Sequence, residues 1–306
     1  MEEKRSFELF DPDDRHDGRR EWLESRQIPP ALGSHQHAAP HFQPPAGLVD
    51  AVNVALAVGA PLLLTGEPGT GKTQVAYHLA WYFDLPLHRL FVGSNTTAEN
   101  LLYRFDAVAY LHAANDPGRK AERIDKKEFV EKGPLWLAFK EPGAAVVLID
   151  EIDKASRDFP NDLLNVIDQH EFTVAETGEF VKREKAPPLL VITSNSERRL
   201  PEPFLRRCIV YHLELDEDLL RRAIAARGGS DFPDLPEAVR EKALERFLEL
   251  RALDLRKKPS TGELLVWLFL LSARGIQEAE DLEGSLRELP MLQALLKDHD
   301  DFQNLT

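Results

Sequence analysis

Eight consecutive residues, Gly66-Glu67-Pro68-Gly69-Thr70-Gly71-Lys72-Thr73, satisfy the phosphate-loop pattern G-x-x-x-x-G-K-[ST] without a mismatch. The pattern constrains the chain on both sides. Leu62-Leu63-Leu64 before it is an apolar run of strand length, and Thr73 to Phe83 after it reads as a helix. Strand, glycine turn and helix therefore follow in order. Glycines let successive backbone N–H groups turn inward around phosphate oxygens, and a helix starting near Gly71 adds the positive end of its dipole. Lys72 brings a mobile positive charge to the β- and γ-phosphates, and Thr73 offers a hydroxyl to Mg²⁺, with Gln74 following on the helix.

Further apolar runs recur at Leu90-Phe91-Val92, Ala144 to Ile149, Leu189 to Thr193 and Ile209-Val210-Tyr211. They are continuous rather than alternating, which suits strands buried on both faces of a parallel sheet covered by helices. Asn161 to Gln169 is expected to be one of those helices. After about Leu215 the strand signals stop. Asp216-Glu217-Asp218 opens a helix expected to close at Gly228-Gly229, and Pro236 sits at the start of another that carries Val239, Ala243, Phe247 and Leu250. Ser260-Thr261-Gly262-Glu263 reads as a capping box ahead of the apolar run Leu264 to Leu271. Residues 1–45, punctuated by Pro29, Pro30, Pro40, Pro44 and Pro45, suggest an extended arm. The expected organisation is arm (1–45), α/β core (46–215) and small all-α domain (216–306).

Val146-Val147-Leu148-Ile149-Asp150-Glu151 is a strand ending in two carboxylates. Side chains alternate along a strand, so the pair is expected to divide its work. Asp150 suits the water shell of Mg²⁺, and Glu151 suits polarising the attacking water. Asn195, at the end of the 189–193 run, is either a hydrogen-bond donor to the γ-phosphate or lytic water, or a turn asparagine between Ser194 and Ser196. Arg206 and Arg207 are either surface charges or a source of positive charge to a phosphate on a neighbouring subunit.

Composition removes some alternatives. With 38 basic and 52 acidic residues the formal charge is -14, a poor basis for neutralising nucleic-acid phosphates. The most basic run, Arg119, Lys120, Arg123, Lys126 and Lys127, is interleaved with Glu122, Asp125 and Glu128 and reads as a solvated face. His35, His37 and His41 lie close together, but without a neighbouring cysteine we assign them no metal. No apolar stretch is long enough to span a membrane, and no apolar segment of signal-peptide type follows the charged Met1 to Arg5. A single cysteine, Cys208, fits a reducing, cytoplasmic setting.

Taken together, GEPGTGKT (66–73), VVLIDEIDKA (146–155) and VITSNSERRLPEPFLRRC (191–208) resemble the AAA+ ATPases, and within them the MoxR-type ATPases. Two segments sharpen the likeness to MoxR: Phe129 to Leu135, with its Gly133-Pro134, and Gln169 to Val174 followed by Thr177-Gly178. The resemblance covers roughly Pro45 to Leu271. It implies ATP as substrate with Mg²⁺, a P-loop α/β core followed by a helical lid, and a homo-oligomer, expected to be a hexameric ring. It gives Asn195 the sensor-1 role and Arg207 that of the finger, with Arg206 the alternative. It also implies a protein client to remodel or activate, and a partner carrying a von Willebrand factor A domain. One departure stands out. Members usually carry an arginine at the start of a lid helix, whereas here Arg256, Lys257 and Lys258 lie upstream of Ser260. The other classes considered are a nucleic-acid motor or McrB-like GTPase subunit, and a nucleotide-dependent assembly switch that scarcely turns over.

Overall fold

A computed structural model of the chain describes residues 24, 30–116 and 124–305. These divide into two compact units. One comprises Pro44–Glu67 and Lys72–Leu213; the other comprises Pro68–Gly71, Glu214 onward and the described residues up to Gln43.

The first unit is built on nine strands: β1 (Leu62–Thr65), β2 (Leu87–Phe91), β3 (Tyr103–Phe105), β4 (Val130–Lys132), β5 (Val146–Asp150), β6 (Glu171–Thr173), β7 (Phe180–Lys182), β8 (Leu189–Ser194) and β9 (Ile209–His212). Five of them form one sheet in the order β2-β5-β8-β1-β9, every neighbouring pair parallel. The continuous apolar runs are legible here: β5 and β8 are buried along their whole length and β1 at Leu62, Leu63 and Leu64. The edge strands depart from that expectation. β2 and β9 are only partly buried, because each has a neighbour on one side alone. Helix α1 (Ala46–Val58) packs beside β9, and α2 (Lys72–Tyr82) lies against β5. Helix α3 (Pro134–Lys140) begins with Pro134, where the missing N–H costs nothing, and packs on β2 and β5. Two antiparallel pairs, β3-β4 and β6-β7, stand apart from the main sheet; Gly178, at φ 71, lies between β6 and β7. Phe159, Leu163, Ile192, Phe204 and Trp136 belong to a core cluster that also takes in Tyr103, Phe172 and Val181 of these pairs. The expected helix 161–169 starts earlier and is interrupted, as Phe159–Asp162 and Leu164–Gln169.

The second unit has its own core around Trp267, Phe247, Phe232 and Leu264, each with essentially no exposed surface. It contains α4 (Glu217–Asp231), α5 (Glu237–Ala252) and α6 (Thr261–Arg274). The capping box is present: the Ser260 N–H donates to Glu263 Oε2 at 2.7 Å, and the Glu263 N–H points back to Ser260 Oγ at 3.5 Å. α4 corrects an expectation, because it runs through Gly228-Gly229 to Asp231. A Cβ on Gly228 would lie 2.4 Å from Nη1, the flexible end of the Arg240 side chain on α5, so here the glycine sits within a continuing helix beside that side chain. The last turn is further held by a buried Arg227–Asp231 ion pair. The proline-marked arm is also not extended where it is described. Pro30–Gly33, His35–Ala38 and Ala39–His41 are short helical turns, with Pro30 and Pro40 in first-turn positions that their fixed φ favours. Residues 1–23 and 25–29 of the arm lie outside the described residues, as do Arg119, Lys120 and Arg123 of the basic run. Among the described residues no helix is long and apolar enough to cross a membrane.

Candidate active site

The phosphate loop leaves the C-terminal end of β1, and its helix begins at Lys72. Gly66, Gly69 and Gly71 have φ of 141°, 81° and 93°, the region that lets backbone N–H groups turn to one side. Gly66 has a second reason to lack a side chain: a Cβ there would sit 2.2 Å from the carbonyl oxygen of Leu213. Lys72 is 5% exposed, and its ammonium donates to the carbonyls of Gly66 at 2.8 Å and Glu67 at 2.7 Å. Burial pulls its pKa below the ordinary lysine value, while Asp153, Asp150, Glu151 and Glu67 pull it back up. Thr70 is buried as well, at 2%. Gln74 follows Thr73 on α2.

The expected metal pair meets directly. Thr73 Oγ1 donates to Asp150 Oδ1 at 2.9 Å. A hydroxyl and a carboxylate side by side are the hard oxygen donors Mg²⁺ takes, with water completing its shell. The same Asp150 oxygen accepts from Thr193 Oγ1 at 2.7 Å, and Thr193 Oγ1 in turn accepts from the Glu151 N–H at 2.8 Å. Thr193, 1% exposed on the neighbouring strand β8, thus fixes both members of the acidic pair.

The Asp150 and Glu151 carboxylates have different partners, for a sharper reason than strand alternation. β5 ends at Asp150, and Glu151 adopts φ 61°, ψ 52°, a left-handed conformation uncommon outside glycine. Its carboxylate leaves Asp150 and meets Asn195: Asn195 Nδ2 donates to Glu151 Oε1 at 3.1 Å. Asn195 is therefore more than a turn residue. Its own N–H donates to Asp153 Oδ1 at 3.3 Å, and the Glu197 N–H donates to Asp153 Oδ2 at 3.0 Å. Glu151 Oε2 is held by Lys154 Nζ at 2.6 Å, a contact that raises the Lys154 pKa. Sequence reasoning missed Thr193, Asp153 and Lys154. The available signal was a hydroxyl at the end of a buried strand, and a third acid within four residues of the second.

Arg206 and Arg207 follow the short helix Glu202–Leu205 and are not drawn into this network. Arg207 Nε donates to both carboxylate oxygens of Asp168, at 3.0 and 2.9 Å, and its Nη1 donates to the Pro203 carbonyl at 3.0 Å. Arg206 is exposed. Arg207 is exposed too, and of the two it carries the intramolecular ties. In the helical unit, the Arg256 side chain pairs with Asp300, and the N–H groups of Arg256 and Lys257 donate to the buried Asp301 carboxylate at 2.9 and 3.1 Å.

Residues 61–208 match the family model described as the AAA domain, dynein-related subfamily. This segment, just under half of the chain, is similar to an AAA domain. Curated relatives agree in extent. YojN of Bacillus subtilis, an uncharacterized protein, is 35% identical over 136 residues, covering 44% of this chain and 40% of its own. The denitrification regulatory protein NirQ of Stutzerimonas stutzeri is 28% identical, covering 55% of this chain and 54% of its own. An uncharacterized Staphylococcus aureus protein is 31% identical, covering 53% and 59%. The aligned part thus spans about half the length of these relatives. A solved chain from Cytophaga hutchinsonii aligns over 85% of both chains at 13% identity and TM-score 0.38, too distant to carry weight. Cys208 closes the matched segment, and burial pushes its thiol up to about 12. At pH 8 we expect a maleimide to label it about a thousandfold more slowly in the native chain than in urea. Equal rates would mean that the thiol is not held in this environment.

Proposed function

We propose that the chain is an ATP-hydrolysing ring ATPase that remodels or activates a protein client, in the manner of MoxR-type ATPases. The observation that carries the reading is the network joining Thr73, Asp150, Thr193, Glu151 and Asn195. A phosphate-loop hydroxyl sharing one scaffold with one carboxylate suited to a metal and another suited to act as a base supports the reading. In this reading Lys72 leaves its loop carbonyls for the β- and γ-phosphates. Glu151 takes a proton from the attacking water as its oxygen bonds to the γ-phosphorus and the bond to ADP breaks. Asn195 orients that water or the γ-phosphate. Mg²⁺, held through Thr73 and Asp150, would supply charge neutralisation on the phosphates. An arginine of a neighbouring subunit, Arg207 or Arg206, completes the site in trans.

The client-remodelling part rests on the resemblance over 66–208 and on the likeness to a protein described as a denitrification regulator. A partner with a von Willebrand factor A domain and a cytoplasmic setting belong to the same reading. An assembly switch that scarcely turns over has less support, because it does not need the Glu151–Asn195 pair. Size exclusion with light scattering on Glu151→Gln in Mg-ATP tests the oligomer. We expect one species of about six subunits, absent without nucleotide and lost in Glu151→Gln/Arg207→Ala/Arg206→Ala. A monomer at every concentration would overturn the ring.

A further inference from the structure

We infer that Asp168 is a positioning residue for Arg207, holding one edge of its guanidinium so that the rest can meet a phosphate in a neighbouring subunit. This rests on the reading of Arg207 as an arginine that completes a site in trans.

Both residues stand on anchored backbone. Asp168 lies in the short helix Leu164–Gln169, which follows the fully buried Leu163, and its chain neighbour Ile167 is buried as well. Arg207 comes two residues after the helix Glu202–Leu205, whose Phe204 has no exposed surface. The N–H groups of Arg206 and Arg207 close that turn, donating to the carbonyls of Glu202 and Phe204 at 3.1 and 3.0 Å. Leu163 and Phe204 belong to the same core cluster, so the freedom left here lies in the two side chains.

A guanidinium carries its N–H donors in one fixed plane. Asp168 engages Nε of Arg207 and the Pro203 carbonyl engages Nη1, while among the described residues Nη2 has no partner. Contacts on two different nitrogens stop the plane from turning about its stem, and the N–H groups of Nη2 stay available. A planar donor fixed in this way suits phosphate oxygens.

Two effects of opposite sign follow. The Asp168 charge weakens the pull of Arg207 on a phosphate, and its hydrogen bonds hold the guanidinium still. Both side chains are partly exposed, 41% and 43%, so water and salt screen the charge, and the pair contributes little to stability. An untethered arginine on the surface has many rotamers to lose before it can act. Ordering therefore wins, and removing Asp168 is expected to slow turnover about five- to twentyfold. The hydrogen bonds of Asp168 run to Arg207 and not to the phosphate loop of its own chain, so the effect belongs in kcat and leaves KM alone.

The test compares Asp168→Ala and Asp168→Asn in the full chain, with Arg207→Ala and Asp168→Ala/Arg207→Ala alongside. Mg-ATP turnover is taken at protein concentrations where activity per subunit has levelled off, with binding of a fluorescent ATP analogue and thermal melting on the same samples. We expect Asp168→Ala to lower kcat about five- to twentyfold, with KM, analogue affinity and melting unchanged. Asp168→Asn keeps an acceptor for Nε and should recover most of that loss. The double variant should be no slower than Arg207→Ala. A kcat in Asp168→Ala within about twofold of wild type or above it would overturn the positioning role. So would an asparagine variant as slow as the alanine one, or a double variant slower than Arg207→Ala. If Arg207→Ala itself keeps wild-type turnover, the trans reading of Arg207 fails instead, whatever Asp168 does.

Discussion

Glu151→Gln is expected to lower Mg-ATP turnover by about 10²–10⁴-fold while leaving nucleotide affinity within a few-fold of wild type. The split follows from what the side chain touches. Phosphate binding belongs to the 66–73 loop, to Lys72 and to Thr73, none of which contacts the Glu151 carboxylate through a hydrogen bond. An amide is close to isosteric and its oxygen can still accept from Asn195 Nδ2, so that contact survives while the exposed Lys154 ammonium turns to solvent. What it cannot do is take a proton from water at neutral pH. Phosphate release and analogue binding on one preparation check both halves. Turnover within fivefold of wild type would remove Glu151 from the chemistry; loss of binding would make its role structural.

Arg183→Ala is expected to lower the melting temperature by about 6–12 °C, from a loss of about 3 kcal/mol. Arg183 follows β7 and is 7% exposed. Its guanidinium donates to five carbonyls. Nη1 reaches those of Ala138, Phe139 and Glu141 at 3.4, 3.2 and 2.8 Å, Nη2 that of Gly143 at 2.7 Å, and Nε that of Ala186 at 3.1 Å. Ala138 and Phe139 lie in the last turn of α3, whose final carbonyls have no partner within the helix. One side chain therefore caps α3 and ties it to the β6-β7 pair. Truncation strands buried acceptors, and Arg183→Lys should recover little, since an ammonium cannot reproduce the fork. Circular dichroism melting is the check, with KM for ATP expected to stay put. A shift under about 2 °C would mean that water replaces these bonds at no cost.

The parts of the fold legible in the sequence were those where one physical demand dominates. Burial on both faces wrote continuous apolar runs at β5 and β8, and the phosphate loop wrote its glycines and Lys72. Where two demands compete, the sequence misled. Gly228-Gly229 carries a stop signal by propensity, yet α4 continues through it to Asp231, where Arg227 and Asp231 form a buried ion pair. Prolines 30 and 40 suggested extension, yet proline suits the first turn of a helix equally well. The site shows the same division. Asp150, Glu151 and Asn195 could be singled out because each lies at or one residue past the end of a strand. Thr193 looked like one more β-branched strand residue, and its hydroxyl matters only because β8 lies beside β5. Asp153 and Lys154 gain their roles from a 3₁₀ turn and a left-handed Glu151 that no local pattern announced.

The central claim is hydrolysis in a site completed by a neighbouring subunit. Specific Mg-ATP turnover of the wild-type chain, measured across protein concentration, tests it most directly. Activity per subunit is expected to rise with concentration and then level off as rings fill. Turnover per subunit that stays flat from dilute to concentrated protein would show a site complete within one chain, and would contradict it.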